Sequence, residues 1–188
     1  MNGARYVPLM LGVAACGASE DGRANRIRER TALITPEAFE LVDEASDPFD
    51  DRPTAPYECK KSGYLAEYLG AEPVFSVRTD DCEYGTFMQP TLVKVYKGEF
   101  LNARLWHFTL IASEPAEAHL DVTLAAPGFG MEERLPIPSD GGLVYKTWQA
   151  PRDYPAGTPV YFHIHNHGMN EYSLIELSTG TDDPNADP

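Results

Sequence analysis

Apolar and polar residues alternate with period two through much of the second half of the chain, the spacing of half-buried β-strands rather than of helices. Across residues 118–124, Leu120, Val122 and Leu124 share one face, and His119, Asp121 and Thr123 share the other, which predicts a surface position for His119. Across 158–167, Val160, Phe162 and Ile164 oppose Tyr161, His163, His165 and His167. Further strand-like runs cover 63–69, 72–78, 91–96, 103–112, 131–137, 142–150 and 172–178, with turn-forming residues between them. Residues 79–85 read as a turn. Along 105–112 both faces are apolar, which predicts a central strand with His107 hydrogen-bonded in or near the core. No stretch of helical period intervenes, so βαβ units are not expected. The pattern predicts an all-β fold, an antiparallel β-sandwich of the jelly-roll kind, over residues 57–180.

The first third of the chain departs from this pattern. Residues 1–15 carry one arginine followed by an apolar run too short to span a bilayer, the layout of a signal peptide. Residues 16–56 are mostly charged and small, and they include the acidic run DEASDPFDDRP. So little apolar surface does not offset ordering entropy, which predicts a disordered acidic tether. Within it, Thr35-Pro36-Glu37 has the order of an N-cap, a proline at the first helical position and an acid in the first turn. Phe39 and Val42 follow on one face, so a short helix is expected near 36–45, docked in part on the domain through these two residues. Residues 181–188 predict a disordered acidic tail.

Charge and cysteine usage narrow the partners and the compartment. Acidic residues outnumber basic ones by 29 to 15, for a formal net charge of -14. A field of that sign repels phosphate backbones, so nucleic acid is not an expected partner. Of the three cysteines, Cys16 follows the apolar run, while Cys59 and Cys82 form an even pair flanked by polar and turn-forming residues. A disulfide between them is expected. Closing a loop of about 24 residues stabilises by roughly 3 kcal/mol in the chain-entropy account.

Val13-Ala14-Ala15-Cys16 resembles the lipobox of bacterial lipoproteins. The resemblance implies cleavage before Cys16, lipidation of that residue, and an exported protein anchored to the membrane at the bacterial cell envelope. Gly17 after the cysteine implies outer-membrane delivery if the cell is Gram-negative.

The row His163, His165, His167 is the best candidate for chemistry, and three readings of it stand. In the first it binds metal, with Met169 adding a thioether for copper or Glu171 a carboxylate for a harder ion. Phe162-His-Ile-His165 and the residues after it resemble the first copper-binding segment of Cu/Zn superoxide dismutases. Gly157, then His163-Ile-His165 and Glu171, resemble the first cupin motif. Both resemblances imply copper or zinc on His163 and His165. The later ligands of both families are missing after His167, so any fuller set needs His107, His119, Met169 or Glu171 brought in by the fold, and dismutase activity is not expected. In the second reading Tyr161, His163, His165 and His167, with Tyr145 or Trp148, form a polar and aromatic face for a glycan or a protein of the envelope. In the third, the segment is a hairpin with 172–177 as strand-mate, its histidines satisfying backbone groups. Asp80, Asp81 and Glu83 lack EF-hand spacing, so calcium is not expected there. The sequence contains no G-x-S-x-G, H-E-x-x-H or phosphate-cradling glycine loop, and a non-catalytic module is the expected class.

Overall fold

The computed structural model describes residues 30–54 and 58–180. The expected signal peptide, Cys16 and the acidic tail lie outside the described residues. Eleven strands run through the described part: β1 (Thr31–Ala32), β2 (Glu40–Leu41), β3 (Tyr64–Leu69), β4 (Glu72–Arg78), β5 (Tyr84–Pro90), β6 (Phe100–His107), β7 (Ala116–Leu124), β8 (Gly130–Ile137), β9 (Gly142–Gln149), β10 (Pro159–His165) and β11 (Glu171–Gly180). They form two antiparallel sheets. One has the order β3-β4-β11-β6-β9, with β1 also paired to β11, and the other has the order β2-β5-β10-β7-β8. From β4 to β11 the chain passes from sheet to sheet, staying in one sheet only for the β7–β8 hairpin. This is the expected jelly-roll sandwich.

The period-two residues meet between the sheets as the pattern requires. Leu120, Val122, Leu124, Val160, Phe162 and Ile164 are all completely buried. Phe75 from one sheet and Phe87 from the other stand 5.0 Å apart, centroid to centroid, and Tyr64 lies 4.8 Å from Phe87. The expected disulfide joins Cys59 to Cys82, pinning the segment before β3 to the turn before β5.

Three strand assignments change. Residues 84–90, read in part as a turn, form β5, and residues 91–96 contribute only the isolated bridge of Val95 to Tyr154. The misleading residue is Gly85. A Cβ there would stand 2.9 Å from Cys82 Sγ and 3.2 Å from the Phe87 ring, so the glycine makes room for the disulfide inside a strand. The run expected over 103–112 instead spans Phe100–His107, because the strand pairs with β11 and β9 up to His107 and then leaves the sheet. The hairpin of 172–177 with the histidine strand, the third of the readings of that segment, does not form. β10 pairs with β5 and β7, while β11 lies in the other sheet, so residues 166–170 are a crossover between the two layers.

Residues 30–54, expected to be disordered tether, lie against the sandwich as a strap. β1 adds to β11 with Thr31 opposite Thr179, and β2 adds to β5 with Glu40 opposite Met88. The short helix expected near 36–45 is replaced by two 3-10 turns, Pro36–Ala38 and Glu44–Ser46, on either side of β2, and Thr35 makes no side-chain cap. An isolated helix of that length is marginal. Strand pairing at Glu40–Leu41 and burial of Leu33, Ile34 and Phe39 favour extended backbone instead. Phe39 is 5% exposed, with its ring 4.7 Å from Phe75. Phe39→Ala is therefore expected to cost about 3 kcal/mol in urea unfolding, the usual loss for a buried phenylalanine. A loss under about 0.5 kcal/mol, typical of an exposed site, would show that the strap does not dock.

Candidate functional site

The strand register places the histidine face. On the outer side of the five-stranded sheet, His163 stands opposite Thr86 on β5 and Asp121 on β7, and Asp121 stands opposite Glu132 on β8. One row further along, His165 is opposite Tyr84 and His119, and His119 is opposite Arg134. Side chains directly across strands lie about 5 Å apart at Cβ, so two neighbouring rows bring His163, His165, His119 and Asp121 into one patch.

The strap then covers this patch. Across 47–51 its residues alternate between half-buried and exposed, so Asp47, Phe49 and Asp51 all face the sheet. The Phe49 ring stacks on His163 at 4.1 Å, and His163 is completely buried. Asp47 accepts hydrogen bonds from the Tyr84 hydroxyl at 2.8 Å, the Thr86 hydroxyl at 2.8 Å and Arg52 at 3.0 Å. Thr86 Oγ1 is in turn 2.9 Å from His163 Nδ1. Burial, reinforced by the Asp47 bond, pushes the Tyr84 hydroxyl well above its ordinary range, so it stays a donor.

Asp51 is the hub. Its Oδ2 lies 2.9 Å from His119 Nδ1, 3.3 Å from His163 Nε2 and 3.2 Å from His165 Nδ1. Burial alone would raise this carboxyl, but the bonds from His163, His119 and His165 outweigh it and hold the group well below the usual carboxylate range. Asp121 behaves oppositely, because burial raises it against the pull of His119 and His163. Burial lowers His165, although Asp51 favours its charged form. Asp51, His119 and His163 offer donor atoms that all lie within 4.8 Å of one another, the arrangement a metal ion could use.

Beside the hub a cleft of about 780 Å³ opens at the end of the sheet, between the links that precede β5 and β7 and the one that follows β10. Glu83, Glu114, Glu117, Arg134, His165 and His167 are among its walls. The crossover beneath is rigidly built. Asn166 donates to Thr79 Oγ1 at 2.8 Å and accepts from the Tyr172 hydroxyl at 2.7 Å, and Asn170 accepts from the Ile111 amide at 2.7 Å.

The sequence-read candidates part company here. His163 and His165 meet at Asp51, and Tyr161 lies edge-on to Phe49 at 6.4 Å. His167 is exposed, its ring 5.3 Å from that of His165. Met169 is 68% exposed and borders a different hollow with Arg78 and Phe108, so it does not complete a metal set with the histidines. Tyr145 and Trp148 belong to β9 in the other sheet, on opposite faces of that strand. The Tyr145 hydroxyl bonds Asn102, whereas Trp148 packs on the core. Neither can share a surface with the histidines. His107, 5% exposed with Nδ1 3.0 Å from the Phe108 carbonyl, is the buried hydrogen-bonded histidine expected. His119, expected on the surface, has a side chain only 13% exposed because the strap closes over it. Asp51 was hidden in a run read as solvated. Its signal was the spacing Asp47-x-Phe49-x-Asp51, one face of an extended segment with an aromatic at its centre.

No protein-family model matches the sequence, and none of the curated proteins does. Solved structures with a similar strand plan include three carbohydrate-binding modules. A family 29 variant complexed with mannohexaose is 14% identical with a TM-score of 0.42, covering 86% of this chain and 99% of its own. TmCBM61 in complex with β-1,4-galactotriose is 8% identical with a TM-score of 0.42, covering 77% and 89%. A CBM4 structure is 11% identical with a TM-score of 0.39, covering 63% and 94%. Likenesses at this level carry no argument about what this chain binds.

The strap's grip on the histidine face is testable at Asp47. Asp47→Asn keeps the shape but turns one acceptor oxygen into a donor facing hydroxyl and guanidinium hydrogens. The variant is expected to lose about 2 kcal/mol in urea unfolding and to become sensitive to limited proteolysis within 44–54. Unchanged proteolysis would mean that other contacts hold the strap.

Proposed function

We propose that the protein is a non-catalytic binding module of the bacterial cell envelope, exported and lipid-anchored through Cys16, that takes a polar ligand of the glycan class in the cleft beside Asp51. The observation that carries this reading is the cleft itself. Its volume of about 780 Å³ falls within the range of small-ligand sites. Its walls are hydrogen-bonding carboxylate, guanidinium and imidazole groups held on loops and strand ends of a cross-braced sandwich. Sugar hydroxyls both donate and accept, so they suit Glu83, Glu114 and Glu117 as acceptors and Arg134 as a donor. The imidazoles of His165 and His167 supply the ring surfaces. Arg134 lies 3.3 Å from Glu117, which fixes its fork at the rim.

Glycan-array screening of the full chain, followed by titration of the best oligosaccharide, tests the ligand class. Arg134→Ala, which removes a hydrogen-bonding fork, and His167→Ala, which removes a ring surface, both at well exposed positions, are each expected to weaken binding about tenfold, or about 1.4 kcal/mol. Absence of any oligosaccharide binding at millimolar concentration would overturn the glycan reading. A protein of the envelope would then be the ligand to seek. For the anchor, Cys16→Ser is expected to move the protein from the membrane to the soluble fraction, and persistence in the membrane fraction would overturn it.

A further inference from the structure

We infer that Asp51, His119 and His163 form a zinc-type divalent-cation site that the N-terminal strap completes. Asp51 Oδ2 is 2.9 Å from His119 Nδ1 and 3.3 Å from His163 Nε2. A tetrahedral centre with bonds of about 2.0–2.2 Å has its donors about 3.3 Å apart. The two carboxylate–imidazole spacings thus match edges of such a centre.

Proton counting supports the same conclusion. The Thr86 hydroxyl has one hydrogen, and it goes to Asp47 Oδ1 at 2.8 Å, because the carboxylate can only accept. Thr86 Oγ1 must therefore accept from His163, which fixes the imidazole hydrogen on Nδ1, 2.9 Å away. A neutral His163 then directs its Nε2 lone pair at the Asp51 carboxylate. Two acceptors this close need positive charge between them, supplied by a second ring proton or by a cation. His119 meets a similar shortage of hydrogens. Its Nδ1 is 2.9 Å from Asp51 Oδ2 and its Nε2 is 2.9 Å from Asp121 Oδ2, so the ring stands between two carboxylates, and a neutral imidazole with one hydrogen leaves one of them facing a lone pair. Asp51 Oδ1, His119 Nε2 and Asp121 Oδ2 are all buried with no aligned hydrogen-bond partner. His163 thus has an outer partner on its far nitrogen, the Thr86–Asp47 pair, as metal-binding histidines do, while the far nitrogen of His119 lies 2.9 Å from the Asp121 carboxylate.

Two imidazoles and one carboxylate suit zinc. Copper(II) competes through its higher intrinsic affinity, whereas the thioether that favours copper(I) is elsewhere, on Met169. Asp51 and His119 also line the cleft, so the fourth position of the ion faces it. The cleft walls of Glu83, Glu114 and Glu117 give that approach the sign that draws cations in. His165 Nδ1, 3.2 Å from Asp51 Oδ2, orients the carboxylate as an outer partner. Because Asp51 comes from the strap and both histidines come from the sheet, the ion would join the two.

The full chain, purified without a histidine tag and treated with chelator, is titrated with zinc chloride alone. One ion per chain is expected to bind with micromolar or tighter affinity, to raise the melting temperature and to protect residues 44–54 from protease. Asp51→Asn and His119→Gln are each expected to weaken zinc by about 100-fold or more, and His165→Ala by only about tenfold as an outer partner. Cobalt(II) in place of zinc is expected to show the intense visible bands of a four-coordinate site in the natural chain, a readout that needs no variant to fold. Zinc binding weaker than about 100 µM, six-coordinate cobalt, or undiminished affinity in folded Asp51→Asn and His119→Gln would each overturn the inference. No glycan enters this experiment, so its outcome is independent of the reading of the cleft.

Discussion

The register of β10 between β5 and β7 is the constraint on which everything else depends. With Phe162 opposite Phe87 and Val122, one parity of the strand fills the sandwich and the other parity carries the histidines. A slip of one residue would exchange the two, placing His163 and His165 among Phe75, Phe87 and Leu120 and turning Phe162 and Ile164 outward. Apolar burial on one side therefore sets where the imidazoles stand on the other. It also sets their neighbours, because the same register aligns Thr86, Asp121 and His119 beside them.

An outward sheet face is usually wetted, and this one is not. Thr86 and His163 are at most 1% exposed because Asp47, Phe49 and Asp51 of the strap lie across them, and Asp121 beside them is 3% exposed. Polar groups deprived of water need partners. The strap supplies them with an acceptor at Asp47, a ring at Phe49 and a second acceptor at Asp51. The covering segment and the covered face form one polar network, in which removing a single member leaves buried groups unmatched.

Much of this was legible in the chain and some was not, for identifiable reasons. The two-residue period showed the strands, the inward set of β7 and β10 and the sandwich class, because burial acts on every second side chain. Cysteine parity showed the disulfide. The sequence could not show that Gly85 sits inside a strand, since a glycine that makes room for sulfur looks like one that makes a turn. Nor could it show which sheet β9 joins, so Tyr145 and Trp148 were grouped with histidines that lie in the other sheet. Average composition conceals how much of the strap docks, beyond the contact expected of Phe39. The strap's apolar residues are few, but Leu33, Ile34 and Phe39 pack against the core, and two of its acids, Asp47 and Asp51, face the sheet rather than water. His119 is a related case, since a correctly read outward position becomes half-buried only when a distant segment folds over it.

The two residues of β2 have a consequence out of proportion to their length. They occupy the outer edge of β5, where Leu41 pairs with Phe87 and the Val42 amide reaches the Thr86 carbonyl at 2.8 Å. A chain begun at residue 58 would keep β3 to β11 yet present that edge bare, above a core no longer capped by Phe39. An open, partly apolar strand edge is a template for another chain. The strap thus also acts as an edge guard, and its loss would convert a closed sandwich into one prone to edge-to-edge association.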